Sequence, residues 1–313
     1  MPKVYIDEFV GISNRLEALP LAFAIQKQYG HEIILDWSEL DSFSVEGTRQ
    51  AKIKPWHKLG ARRLRDCSLS EFRELSKENV ICRSLDGPSE YLDQVYLEVA
   101  ARVKAATFVV DGIVSAFEKH SHRPVIGVHV RQGDYQLVED AVYSINTQYP
   151  AVPVWWYYEA MHKAREIQPN AIFFLAHNGS ANTLARLFDE FDVFQLDLQS
   201  PYKYKGTDHA SRVNPVADLF ALACCPTLLA TPFSGYSHWA ANVLGKPTTA
   251  IVPVPGCTSA EPKFARLDLY GKRFKVWRID ASRNGGHVEM LDDGWSGVDL
   301  ARTADLSWIK PSA

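Results

Sequence analysis

V-I-G-V-H-V-R-Q-G-D-Y, residues 125–135, opens as an almost unbroken apolar strand and ends in a polar turn. A strand apolar on both faces belongs inside a covered parallel sheet. An arginine at its exit is costly there unless an anion meets it. Downstream of this stretch the periodicity alternates. Trp156 to Ile167 reads as a helix, Ala171 to Ala176 as a strand, Ala181 to Phe191 as a helix and Val193 to Leu198 as a strand. Helix Val216 to Cys225, strand Thr227 to Thr231, helix Tyr236 to Leu244 and strand Thr248 to Val252 complete the series. Upstream, strand Lys3 to Val10, helix Asn14 to Tyr29 and strand His31 to Leu35 spell a second crossover unit, its helix closed by Gly30. Between them the chain is mixed and polar, becoming mainly helical from Glu90 to His120. The expected fold class is therefore α/β, with two Rossmann-like domains facing a cleft, residues 1–120 and 121–313, divided where S-H-R-P breaks the helical pattern. The tail after Pro262 reads as polar and irregular, with Gly285, Gly286, Gly294 and Gly297.

Bulk properties narrow the function. A chain of 313 residues exceeds one ordinary core, and 46% apolar with 23% charged residues is globular composition. The net charge of -3 gives no long-range attraction to polyanions, so a nucleic-acid or membrane-surface role requires a local patch. The most basic cluster is Arg62, Arg63 and Arg65 with Lys52, Lys54 and Lys58 nearby, and a solvated face is its plainest reading. Five cysteines without a C-x-x-C pair indicate neither a disulfide framework nor zinc. No signal peptide and no run of eighteen apolar residues is found, so a cytoplasmic protein without a transmembrane segment is expected.

Three strand exits carry the chemistry. The first, F-V-G-I-S-N-R-L-E-A-L at 9–19, allows a close turn at Gly11 and a helix start at Ser13 or Asn14, which is either an anion site or an ordinary cap. In the second, H-V-R-Q-G-D-Y, Arg131 can grip paired oxygens of a diphosphate or simply pair with Asp134. His129 there is either a base-recognition residue or a buried core histidine. The third, T-P-F-S-G-Y-S-H-W-A-A at 231–241, brings Ser234, Ser237 and a helix N-terminus together as a second anion site. Just upstream, Asp218 is a carboxylate on the otherwise apolar helix V-A-D-L-F-A-L-A, facing either a ligand or solvent.

In order and spacing these segments resemble the fucosyltransferase superfamily of α1,2-, α1,6- and protein O-fucosyltransferases and nodulation-factor fucosyltransferases. The shared patterns are G-x-x-N-R/Q-L, H-x-R-R-x-D and a late D-x-x-x-L followed by S-x-F-S-x-x-A-A. They stand here as G-I-S-N-R-L, H-V-R-Q-G-D-Y, D-L-F-A-L-A-C-C and S-G-Y-S-H-W-A-A, nearest in feel to the α1,2 branch. The resemblance implies a B-type glycosyltransferase fold, with an acceptor-side domain followed by a nucleotide-sugar domain. It also implies a GDP-sugar donor, inversion at the anomeric carbon, an oligosaccharide or glycoconjugate acceptor, and no metal, cofactor or nucleic acid. By position, Arg131 would hold the β-phosphate, and His129 and Asp218 the guanosine. Ser234, Tyr236 and Ser237 would meet the donor near its diphosphate, and Gly11 and Asn14 would face donor or acceptor, with Arg15, His177 and Asn178 as further candidates. Two departures from the pattern are visible: Gln132 replaces a second arginine, and His177 and Asn178 stand where an aspartate is common.

Glycosyl transfer builds negative charge on the leaving diphosphate, so fixed cations and N–H donors there favour the transition state. Asp134, Glu8 and Asp7 are the candidate general bases. W-W-Y-Y at 155–158 is either a sugar-stacking surface or core. The alternative function is a non-catalytic nucleotide or glycan-binding module that keeps the fold. A phosphoryl-transfer or dehydrogenase reading lacks both the Walker loop and the dinucleotide fingerprint.

Overall fold

The computed structural model describes residues 1–135, 137, 141–199, 214–274 and 288–310, and its chain divides into two compact units after Thr107. In the first unit the elements are β1 (Lys3–Asp7), α1 (Ile12–Tyr29), β2 (Glu32–Asp36), β3 (Phe43–Val45), β4 (Thr48–Gln50) and β5 (Arg62–Leu64). They continue with α2 (Leu69–Glu74), β6 (Val80–Cys82), α3 (Ser89–Ala101) and β7 (Val103–Ala105). Five strands form a parallel sheet in the order β4-β2-β1-β6-β5, and β3 and β7 make a separate antiparallel pair. Most strands between residues 40 and 105 are three residues long, too short to show a period, which is why this region reads as mixed in the sequence.

The second unit contains α4 (Thr107–Glu118), β8 (Val125–Val130), α5 (Val154–Ile167), β9 (Ile172–His177), α6 (Ala181–Glu190) and β10 (Val193–Phe194). After these come α7 (Pro215–Ala223), β11 (Thr227–Leu229), α8 (Gly235–Asn242), β12 (Thr249–Pro253), β13 (Phe264–Leu267) and β14 (Val288–Met290). The sheet runs β10-β9-β8-β11-β12-β13-β14, parallel through β12. Every residue of central β8 is buried, as its apolar run demands. Its Gly127 leaves little room for a larger residue, because a Cβ there would stand 3.1–3.2 Å from Leu228 and Cys225.

Two expectations change. The boundary lies one helix before residue 120, because α4 packs within the second unit: Phe117 meets Phe174 and Phe194 at 5.3 and 5.1 Å. S-H-R-P therefore ends a helix rather than a domain. The tail is also more ordered than its composition suggests, since β13 extends the sheet antiparallel to β12 and β14 adds antiparallel to β13. Gly285 and Gly286 lie outside the described residues. No helix among the described residues is long and apolar enough to cross a membrane.

Candidate active site

At the exit of β8 the strand is bolted to its neighbours. Its His129 carbonyl accepts from the hydroxyls of Thr231 (2.8 Å) and Tyr157 (2.9 Å), which stand 2.7 Å apart. The Arg131 N–H donates to the same Thr231 hydroxyl at 3.2 Å. The His129 ring is buried, its Nδ1 lies 2.7 Å from Ser237 Oγ, and Ser237 Oγ also accepts the Thr231 N–H at 3.1 Å. Burial, with the nearby Arg131 and His177 charges, pulls the imidazole down to about 3, so it is neutral. Its Nε2 makes no hydrogen bond among the described residues and is left as a donor or acceptor for a ligand.

Arg131 is partly exposed. Its Nε donates to Asp134 at 2.8 Å, and its guanidinium carbon sits 5.7 Å from the Tyr135 ring centroid. The side chains of the pair are 33% and 62% exposed, so this ion pair is worth at most about 1 kcal/mol and an incoming dianion can compete for the cation. The two Nη groups have no partner among the described residues. Asn178 fixes the turn, its Oδ1 accepting from the N–H of Gln132 (2.8 Å) and of Gly133 (3.3 Å). Gln132 lies across Gly179, where an added Cβ would meet its Oε1 at 2.3 Å. His177 binds the Gly179 carbonyl through Nδ1 at 3.1 Å, and burial lowers its pKa.

Helices α7 and α8 complete this side. Asn214 caps α7 by accepting from the Val216 and Ala217 amides at 3.0 and 3.3 Å. Asp218, one turn in, is 6% exposed and has no partner among the described residues, and burial pushes its carboxyl up to about 8. Tyr236 stacks on His129 at 4.8 Å and donates its hydroxyl to the Pro215 carbonyl at 2.5 Å, joining the β8 exit to the start of α7. Ser237 is fully buried and fastens His129. It does not present its hydroxyl to a diphosphate, because the third position of α8 faces β8. Ser234 is buried too, lies against the Tyr135 phenol and makes no side-chain cap, which leaves the first-turn amides of α8 without a capping oxygen from Ser234. The preceding Phe233 holds φ at 63°, a strained value for an aromatic residue, and its carbonyl accepts the Tyr135 hydroxyl at 2.9 Å.

The first unit carries the remaining candidates. Glu8 is exposed and accepts the Ser38 hydroxyl at 3.2 Å. Asp7 is held by Arg83 (2.6 and 3.0 Å) and Lys58 (2.6 Å). Burial raises its pKa but the two cations outweigh it, so the carboxyl lies below its ordinary value and is a poor base. Gly11 is the exposed N-cap of α1, with nothing within 4 Å of where a Cβ would stand. Asn14, half-exposed in the first turn, makes no hydrogen bond among the described residues. Arg15 is a correction: it is 1% exposed, with Nη1 2.8 Å from Glu39 and Nη2 on the other carboxylate oxygen, and it stacks over Trp37. The helix turns this side chain inward, so it meets no ligand. Among the described residues no three His, Cys, Asp or Glu side chains gather as a metal ion requires.

No protein-family model and no curated protein sequence matches the chain. Solved structures do. The NodZ α-1,6-fucosyltransferase soaked with GDP-fucose superposes with a TM-score of 0.51 at 18% identity, over 93% of this chain and 99% of that one. The same enzyme co-crystallized with GDP gives the same values. A variant of Arabidopsis thaliana FUT1 in complex with GDP gives 0.51 at 10% identity, over 84% of this chain and 73% of that one. The chain has the fold of these fucosyltransferases.

Within that fucosyltransferase fold, sequence reasoning missed the residues that hold the site in shape. Thr231, Tyr157, Tyr135 and Phe233 act through backbone carbonyls, which leave no motif. W-W-Y-Y is largely core, with Trp156 and Tyr157 at 0% exposure, yet the Tyr157 hydroxyl reaches the β8 exit. A tyrosine flanked by apolar residues on a buried helix was the available signal, since such a hydroxyl must find a partner.

Proposed function

We propose that this protein is an inverting glycosyltransferase that moves fucose, or a related sugar, from a GDP-sugar to a hydroxyl of a glycan or other acceptor, without a metal ion. The observation that carries the reading is the buried Asp218 carboxyl with no partner among the described residues. A carboxylate so placed calls for a ligand with paired N–H donors, which guanine has at N1 and N2 and uracil lacks. Through Tyr236 the same framework connects to His129 and onward to Arg131, whose unengaged Nη groups suit a diphosphate.

In this mechanism the guanosine is read by Asp218 and His129, and Arg131 with the α8 amides takes up the charge that develops on the β-phosphate as the glycosidic bond breaks. The acceptor hydroxyl gives its proton to a carboxylate base, and Asp134, exposed beside Arg131, is the candidate in the same unit as the donor residues. The oxygen attacks the anomeric carbon from the face opposite the diphosphate, and GDP leaves. A shift in melting temperature with GDP, larger than with UDP or ADP and present in EDTA, tests the donor half of the reading. Mass spectrometry of oligosaccharides incubated with GDP-fucose and GDP-mannose tests transfer. GDP stabilisation without any transfer favours the binding-module alternative, and no stabilisation by GDP removes both.

A further inference from the structure

We propose that residues 51–65 form a docking turn that seats this protein on membrane surfaces rich in anionic phospholipid. The inference does not depend on the transferase reading. The segment A-K-I-K-P-W-H-K-L-G-A-R-R-L-R holds six Lys and Arg and no Asp or Glu, in a chain whose net charge is -3. It is the local patch that the overall charge made necessary for any surface role. Three of its cations are spent within the protein: Lys52 on Asp36 (2.9 Å), Lys58 on Asp7 (2.6 Å) and Arg62 on Glu74 (3.0 Å). Lys54, Arg63 and Arg65 are exposed and have no carboxylate partner among the described residues.

Between these cations stand Trp56 and Leu59, 58% and 77% exposed. A solitary exposed apolar side chain requires no explanation, but two at and just after the single helical turn Pro55–Lys58, among cations without carboxylate partners, do. The turn is pinned from below. His57 stacks on Tyr5 with ring centroids 5.9 Å apart and planes 5° from parallel, and its Nδ1 accepts the Lys54 N–H at 3.2 Å. The Ile53 N–H donates to Asp36 at 2.9 Å, and Ala51, Ile53 and Ala61 pack on the sheet residues Tyr5, Ile34 and Ile81. The apolar pair is thus held outward by the fold. Lys54 lies 5.0 Å from the Trp56 ring centroid, which sets an ammonium beside the indole as at a headgroup boundary. Leu59 decides between a bilayer and an acidic glycan, because an isobutyl group offers nothing to sugar hydroxyls and partitions into acyl chains. Two apolar side chains and three cations give weak, reversible attachment, each cation contributing roughly fivefold at low salt.

The test is sedimentation of the full chain with vesicles of phosphatidylcholine alone and of phosphatidylcholine mixed with phosphatidylglycerol. The expected result is pelleting with the anionic vesicles only, weakened by high salt. The W56S/L59S and R63E/R65E variants should each lose about tenfold or more in binding while keeping the wild-type melting temperature, since all four side chains are exposed. Wild type left in the supernatant with anionic vesicles, or either variant pelleting as well as wild type, overturns the proposal. Capture on soluble dextran sulfate with the same dependence on Trp56 also overturns it, by reassigning the patch to an anionic polysaccharide.

Discussion

Replacing Asp218 by asparagine separates what this side chain does for the fold from what it does for a ligand. Burial moves its carboxyl from 3.8 to about 8. An acid whose folded-state pKa is raised takes up a proton on folding, so its contribution to stability is intact below about pH 4 and is lost as pH rises toward 8. At pH 7 the distance from 3.8 is about 3.2 units, which at 1.36 kcal/mol each costs about 4 kcal/mol. Asparagine carries no such cost. Its buried amide lacks a partner as the protonated carboxyl does, so that penalty of about 1–3 kcal/mol is common to both. The D218N chain is expected to exceed wild type at pH 7 by up to about 4 kcal/mol, with the gap closing by about 1.4 kcal/mol per unit as pH falls to 4. Denaturant midpoints measured across this range read the effect. GDP affinity should fall at least about tenfold, because a charge-assisted pair of hydrogen bonds is lost. Wild type should release a proton on binding GDP near neutral pH, seen by calorimetry in buffers of different ionisation enthalpy, and D218N should not. A variant no more stable than wild type at pH 7, or one that binds GDP equally well, refutes the reasoning.

Arg131→Ala should leave the melting temperature nearly unchanged, because the Asp134 pair is exposed, yet abolish the GDP-induced shift and reduce transfer by about 10² to 10³. Arg131→Lys should not restore it, since an ammonium cannot make a bidentate grip. Glu39→Gln strands the Arg15 charge in the core and should cost about 3–5 kcal/mol in unfolding experiments without altering GDP affinity. Asn178→Ala removes the acceptor of two turn amides and should weaken GDP binding about tenfold, whereas Asn178→Asp keeps an acceptor and should bind within a fewfold of wild type, as titration would show.

The alternating stretches of the second unit were readable because their helices run eight residues or more and β8 and β9 six, so that even the short β10 and β11 were marked out by their neighbours. Lost were the three-residue strands of the first unit, and β13 and β14, too short to announce a period. Within the site, the sequence named Arg131, His129 and Asp218 as groups needing partners, because charge and polarity inside an apolar run are visible in one dimension. It misjudged Arg15 and Ser237 because rotation about a helix axis decides whether a polar side chain meets solvent, a ligand or Glu39, and neither helix has a clean polar stripe. Asn178 was named without a role, since its acceptors' partners are amides 45 and 46 residues away.

The coupling of Ser237, Thr231 and Tyr236 to His129 has a practical corollary for engineering. Any attempt to alter this site one codon at a time will meet strong epistasis, because trimming Ser237 unseats His129 and trimming Tyr236 loosens both His129 and the first turn of α7. Libraries that randomise 129, 231, 236 and 237 jointly should yield functional clones in combinations whose individual members are inactive.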